Sequence, residues 1–458
     1  MLSAIAKRHR VLMLLALAGI AGLVLLAGSD GSGGSEAKAG LIVPCLTYPD
    51  IPAPPAKPTT GGGRDRRHPV IFVGNNWDGT ADIVSTRKRS FRKLARINIV
   101  PDYRERILEI CTNPVDLGYF VAIRELVGEG NDQLVDDMYS TPNGRLLVVS
   151  RPSFRDVVAI RLTGPKTGEI KWRFQVLGQR SDHMAVSPDG KQVAVSASTG
   201  NIVHLLNTST GEAEGTFASG DSPHENTYSK NGKRIYHASI GLVYTPGDEA
   251  VFDTDTNKGE RFFQVVRVKD QKIISRVNMA QKLDEAGYPD MSAAVRPMAI
   301  SSNENKAFLQ VSFFHGVVAY DLKKQRVIRA TGLPNLFPEV PREQYLLDSA
   351  HHGIALSGND RRLCVAGTMS DYATIFRRRR LRAGDSISPR LLKEGTKPYW
   401  STTSADGKLC YVSWSGTDDI SVFSYRKRRE IRHVKVGDHP QRIRNGFVRQ
   451  SFIRANRR

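Results

Sequence analysis

The chain is poor in cysteine and tryptophan, with four of each in 458 residues, and its acidic residues are outnumbered by its basic ones. Four cysteines do not make a disulfide framework. No Cys-x-x-Cys-His is present, which excludes covalently attached haem. No Walker loop and no Gly-x-Ser-x-Gly occurs, which removes the commonest nucleotide and serine-hydrolase motifs. Only one apolar run is long enough to span a bilayer, so a polytopic membrane protein is excluded. What is present is 40 % hydrophobic and 24 % charged residues with a net charge of +20, the composition of a globular, basic protein.

The apolar run covers residues 11–28, uncharged throughout and preceded by Lys7, Arg8 and Arg10. A basic flank before an apolar run predicts an export signal over residues 1–28. It is either cleaved, with Ala37-Lys38-Ala39 as a small-x-small site, or retained as a membrane anchor. Both readings put the rest of the chain outside the cytoplasm, because the positive flank stays inside. Residues 29–68 are rich in Gly, Ser, Pro and Lys and read as a linker.

One pattern recurs along the rest of the chain. It is a small or polar residue, a turn, a basic residue and then an alternating apolar strand. It reads STPNGRLLVVS from Ser140, VSPDGKQVAVS from Val186, YSKNGKRIYHAS from Tyr228, ISSNENKAFLQVS from Ile300, LSGNDRRLCVAG from Leu356 and TSADGKLCYVSWS from Thr403. Asn, Asp and Gly at the turn suit a tight hairpin. A second alternating hairpin follows in each unit, as in NIVHLLNTSTGEAEGTFAS from Asn201. The turn positions Thr141, Ser187, Ser229, Ser301, Ser357 and Ser404 mark repeats of 42 to 47 residues, lengthened twice by insertions. Four strands, A to D, in such a period are a propeller blade. Residues 70–99 supply strands B to D of a seventh blade, and residues 439–448 supply its strand A. The expectation is an all-β, seven-bladed β-propeller over residues 69–449, with N- and C-terminal segments sharing one blade, and a basic tail over 450–458.

Strands such as IFVGNN, QVAVSA and CYVSWS, with VGDHPQ at 436–441, resemble those of the YVTN-repeat β-propellers. That resemblance implies an exported propeller. It does not imply one activity, since the family holds binding proteins, cell-surface proteins and relatives of enzymes. The chain departs from the family where Arg377 to Arg380 replace the usual turn. A single GPKTGEIKW resembles the docking motif of quinoprotein dehydrogenases, which carry several copies, so bound quinone is not expected.

Strand A of a propeller is innermost, and the residues before and at its start ring one mouth of the channel. Here they are Asp136, Asp137, Asp182, His183, His224, Glu225, Arg296, His351, His352, Tyr399, Trp400, Gln441 and Arg442, with His439 nearby. Histidine with carboxylates suits a divalent metal, and Asp137, His183 and Glu225 are the candidate ligands. His224 and His352 are candidate general bases. Asp136, Asp182, Arg296, His351, Tyr399, Trp400 and Arg442 are candidates to line a ligand, the arginines pairing with a carboxylate or phosphate. Four long connections, over residues 101–135, 240–261, 281–295 and 331–350, are placed by strand count on this mouth, as a candidate lid.

Cys45 and Cys111 lie outside the repeats and are candidates for a bridge. Cys364 and Cys410 fall in strands one position out of phase, hence on opposite strand faces, and are expected as two separate core thiols. The basic runs at Arg377 to Arg380 and Arg426 to Arg429 fall in C-to-D turns opposite the mouth and read as solvated turns, with anionic lipids or envelope polymers as the partners such charge would attract. No aromatic and basic interleaving marks a nucleic-acid groove. Three functions follow as expectations: a propeller binding a small-molecule, metal or protein ligand at the mouth, a metal- or His-dependent lactonase- or lyase-type enzyme there, and an envelope scaffold.

Overall fold

A computed structural model describes residues 55–60, 65–242, 259–345 and 349–457. The predicted export signal, most of the linker and Cys45 lie outside the described residues. No helix among the described residues is long and apolar enough to cross a membrane.

Seven four-stranded antiparallel sheets form the ring. Blade 1 is closed by both ends of the chain: its strand A is Pro440–Arg449, paired with Arg67–Asn75. Blades 2 to 7 follow in sequence order, their A strands being Met138–Ser140, Ser181–Val186, Pro223–Tyr228, Val295–Ile300, Gly353–Leu356 and Pro398–Thr403. The core is divided into layers between neighbouring blades. Ile71 and Val73 of blade 1 meet Tyr411 and Val422 of blade 7, and Val148 and Trp172 of blade 2 meet Val193 and Val195 of blade 3.

The repeated turn has a physical cause. In six blades the Ser or Thr hydroxyl donates to the Asn or Asp two residues on, at 2.6–2.9 Å. The same hydroxyl accepts from the backbone N–H five residues on. The residue between is left-handed: Gly144, Gly190, Gly232 and Gly407, but Glu304 and Asp360 in blades 5 and 6. Those two side chains reach the neighbouring blade. Glu304 accepts from the Lys230 N–H and the Tyr236 hydroxyl, and Asp360 from Ser302. Contacts between blades offset the backbone cost that glycine avoids.

Cys364 and Cys410 are joined in a disulfide, with Cα atoms 6.5 Å apart. This corrects the expectation of two separate thiols. The two positions do lie on opposite faces of their own strands, but adjacent blades meet through opposite faces, so that phase difference brings them together in one layer. Cys111 is also disulfide-bonded.

The first insertion contains helices Tyr103–Cys111 and Pro114–Leu126, the second capped by the Asn113 side chain; with residue 102 to residue 132 it belongs to a unit separate from the ring. The second insertion lies mostly outside the described residues. The third carries the short helix Met279–Asp284 into its start, and in the fourth Tyr345 packs on Phe313 and receives a hydrogen-bond contact from His315 at 2.8 Å. Two flanking stretches are also ordered on the ring. Ala56 of the linker lies against Gly168, and Gly164 N–H donates to Thr59. At the other end Gln450–Ala455 is a helix with Phe452 buried.

Candidate functional site

The ring of polar residues is positioned by β-bulges. In blade 3, Ser181 pairs with Ala197 and Met184 with Val195, so Asp182 and His183 together face Ser196. The same shift sets His224 and Glu225 opposite Ala238, Arg296 and Pro297 opposite Gln310, Tyr399 and Trp400 opposite Ser413, and Gln441 and Arg442 opposite Gly74. In blade 2, Asp136 and Asp137 both bond the backbone of Ser150. A bulge re-aims side chains that a regular strand would send to alternate faces. Three of the bulges are held from the preceding blade: Ser150 donates to the Asp182 carbonyl, Ser196 to that of His224 and Ser413 to that of Gln441, at 2.7–2.8 Å.

At the centre His183, His224 and His352 converge. The His183 and His224 rings lie 3.7 Å apart, and His352 stands 6.0 and 5.7 Å from them. One donor atom of each lies within 4.8 Å of the others, and Asp136, Asp182 and His183 form a second such set. Arg442 donates to Nε2 of His183, while Nδ1 of His183 lies 3.0 Å from Glu225. His183 therefore carries its proton on Nδ1 and donates it to Glu225. The Arg442 guanidinium also stacks on Trp400 at 3.6 Å and lies 3.8 Å from Asp136. Tyr399 packs on His352 at 4.4 Å.

Burial dominates the electrostatics. It holds the three histidines well below the usual imidazole range, reinforced by Arg442 at His183 and His352 and by Arg296 at His224. All three are neutral, the form that donates a lone pair to a metal. Burial pushes Asp136 and Glu225 up to about 7, against the pull of Arg442. Several polar atoms here have no hydrogen-bond partner among the described residues: Asp136 Oδ2, Asp182 Oδ1, His224 Nδ1, His352 Nδ1, and Nε and Nη1 of Arg442.

The structure groups the candidates differently from the sequence reading. Asp137 is held by Arg444 through two hydrogen bonds of 2.8 and 2.7 Å and accepts from the Met138 and Met184 N–H groups. Glu225 orients His183. Of the three candidate ligands only His183 stands in a converging donor set, and the other members are His224 and His352, expected as bases, or Asp136 and Asp182. His351 turns away from the triad towards His315 and Tyr372. His439 stacks on Trp77 at 3.8 Å. Arg296 is buried, with Nε donating to Ser312.

Two residues of the ring were missed. Arg180 pairs with Asp182 and contacts Ser198, and Arg444 pairs with Asp137 and lies over Trp400 and Tyr139. The signal for Arg444 was the alternation Arg442-Ile443-Arg444, which puts both arginines on one side of strand A and Ile443 in the layer between blades. Arg180 precedes its strand and had no periodic signal.

Tetrahedral zinc, with bonds of about 2.1 Å, sets its donors roughly 3.4 Å apart. The histidine donors, within 4.8 Å of one another, fit such an ion once drawn closer together, with Arg442 withdrawn from His183.

No family model and no curated protein matches this chain. Among solved structures, Kuenenia stuttgartiensis hydrazine synthase is similar with a TM-score of 0.50 at 13 % identity, covering 67 % of this chain and 88 % of that one. The Cps50 (Swd1) β-propeller domain of Myceliophteria thermophila gives 0.46 at 11 % identity, over 66 % and 85 %. Likeness at such identity is one of fold. No family model supports the YVTN-repeat resemblance, and the chain is a seven-bladed β-propeller closed by its two ends.

Proposed function

We propose that this protein is an extracytoplasmic β-propeller that binds a divalent transition-metal ion, and a small anionic ligand against it, in the ring of its A strands. The observation that carries this reading is the convergence of three neutral, buried imidazoles, two with an unpartnered Nδ1. An unpartnered buried polar atom costs roughly 1–3 kcal/mol, a cost that a bound ion removes. The unpartnered Nε and Nη1 of Arg442 favour an anion beside the ion. The export-signal pattern over residues 1–28 supports an extracytoplasmic location, as does the Cys364–Cys410 disulfide. A second reading, lactonase- or lyase-type turnover, rests on the same pairing. An arginine next to a metal site can fix a substrate carboxylate while the ion polarises its carbonyl.

The test is elemental analysis of the full chain, purified without a histidine tag or chelator and reloaded with Mn, Cu or Zn. Near-stoichiometric metal is expected. It should vanish in the His183→Ala, His224→Ala, His352→Ala triple variant, whose folding is checked by circular dichroism. Folded protein that takes up none of these ions, or a triple variant that keeps its metal, overturns the proposal.

A further inference from the structure

A groove of about 600 Å³ lies between blades 5 and 6. It is built from the A-to-B and C-to-D turns, and these fall on the face opposite the ring, because antiparallel strands bring both turns to one end of the blade. Lys306, Arg361, Arg362, Arg377, Arg378, Arg379 and Arg382 line it, and no carboxylate does. Its remaining lining is apolar: Phe308, Ala319, Ile328 and Leu381.

This concentration of one sign is built into the secondary structure. Arg362 and Arg377 are direct partners across strands B and C of blade 6. Like charges in that position destabilise a sheet. Blade 4 has the same conflict, Arg234 opposite Arg267, but there Arg267 is neutralised by Asp270 at 2.5–2.8 Å. Among the described residues none of the six groove arginines has an ion-pair partner. Burial and the charges of Arg428 and Arg377 disfavour the charged form of Arg362. The backbone fixes the cluster. Strand C (Tyr372–Arg377) runs straight into the 3-10 turn Arg378–Arg382, and the Arg378 N–H donates to the Arg361 carbonyl at 3.0 Å. Arg378 lies over the Phe308 ring at 5.7 Å, so charge and apolar surface meet in the groove.

Unpaired guanidiniums over an apolar floor match a molecule with a phosphate head and a hydrocarbon body. The arginines offer paired N–H donors to phosphate oxygens, and the exposed Ile328, beside the buried Phe308 and Leu381, offers the body apolar surface. A free anion has no use for the floor, and a neutral lipid has none for the arginines. We infer that the groove between blades 5 and 6 binds the phosphate head of an anionic lipid, at a site independent of the ring.

The test uses the full chain in a non-ionic detergent, titrated calorimetrically with short-chain dihexanoyl phosphatidylglycerol, its phosphatidylcholine counterpart and inorganic phosphate. The anionic lipid is expected to bind at least tenfold more tightly than either of the others. Arg361→Ser with Arg379→Ser, both exposed positions, should weaken it tenfold or more. Lys230→Ser with Lys233→Ser removes the same charge from the turn of another blade and should change binding less than twofold. Equal loss in both double variants, or none in the first, overturns the site. Phosphate binding as tightly as the lipid overturns the amphiphile, and equal binding of phosphatidylcholine overturns the role of charge. Metal content is read in parallel, so failure here and failure of the ring site are separate results.

Discussion

Arg442, on the A strand that closes the ring, donates its hydrogen bond to Nε2 of His183 two blades away, and so occupies the lone pair a metal would need. The pair couples the C-terminal end of the chain to the centre of the site. Arg442→Gln is expected to raise the affinity of the ring for Zn or Cu about tenfold or more, since it frees His183 and removes a positive charge beside the three imidazoles. It should abolish binding of a small anion at the same time. Competition against a chelator measures the first effect. Unchanged or weaker metal affinity in a folded variant would show that Arg442 is not what restrains the triad.

The Cys364–Cys410 bond closes a chain segment with a sequence separation of 46 between adjacent blades. Loop-closure arguments give about 4 kcal/mol for a loop of that length. The Cys364→Ala, Cys410→Ala double variant should unfold in urea with a stability lower by about 2–4 kcal/mol. Reductant should lower the stability of the parent protein and leave the double variant untouched. Equal sensitivity of the two would place the stabilisation elsewhere.

Gly407 is left-handed at φ +69°, and a Cβ there would stand 2.6 Å from the Cα of Gly358 in the turn of blade 6. Backbone strain and steric overlap act together, so Gly407→Ala should cost at least about 2 kcal/mol. Gly164, at φ +85° with open space around it, should cost only the backbone part, roughly 1–2 kcal/mol, when changed to Ala. Thermal unfolding of the two variants separates these contributions, and equal losses would contradict the close approach at Gly407.

His237 and His439 are buried, and burial lowers each to about 3 from an ordinary value of 6.5. Below pH 6.5 the unfolded chain takes up these protons and the folded one does not. Stability therefore falls as pH drops from 6.5 towards 3, by about 1.4 kcal/mol per pH unit for each histidine. Asp136 and Glu225 act with the opposite sign, because their folded values are raised to about 7, and they offset part of the loss. His183, His224, His351 and His352, all well below the usual range, act in the same direction as His237 and His439. Metal-free protein should therefore be less stable to urea at pH 5 than at pH 7.5. Equal or greater stability at pH 5 would mean that these imidazoles are protonated in the folded state.

Strand B ends in the same way in blades 2, 3 and 7, at Ser150, Ser196 and Ser413, and each hydroxyl holds the bulge of the next blade. The serines were visible in the repeats as VVS, AVS and YVS. Their purpose was not, because the carbonyl each one binds belongs to the next repeat. The cysteines show the same limit. Phase within a strand is local and readable, whereas which faces of neighbouring blades meet is a property of the ring.

The sequence by itself determined the repeat, the count of seven, the shared blade and the polar residues at the start of the A strands. These follow from turn chemistry and from the period-2 alternation of each strand, both of which act over a few residues. Only the tertiary structure decided that His183, His224 and His352 converge while Asp137 is claimed by Arg444, that His351 turns away from its neighbour His352, and that Cys364 meets Cys410. Those outcomes depend on distances between side chains from different blades, and a ring of seven sheets sets those distances only when it closes.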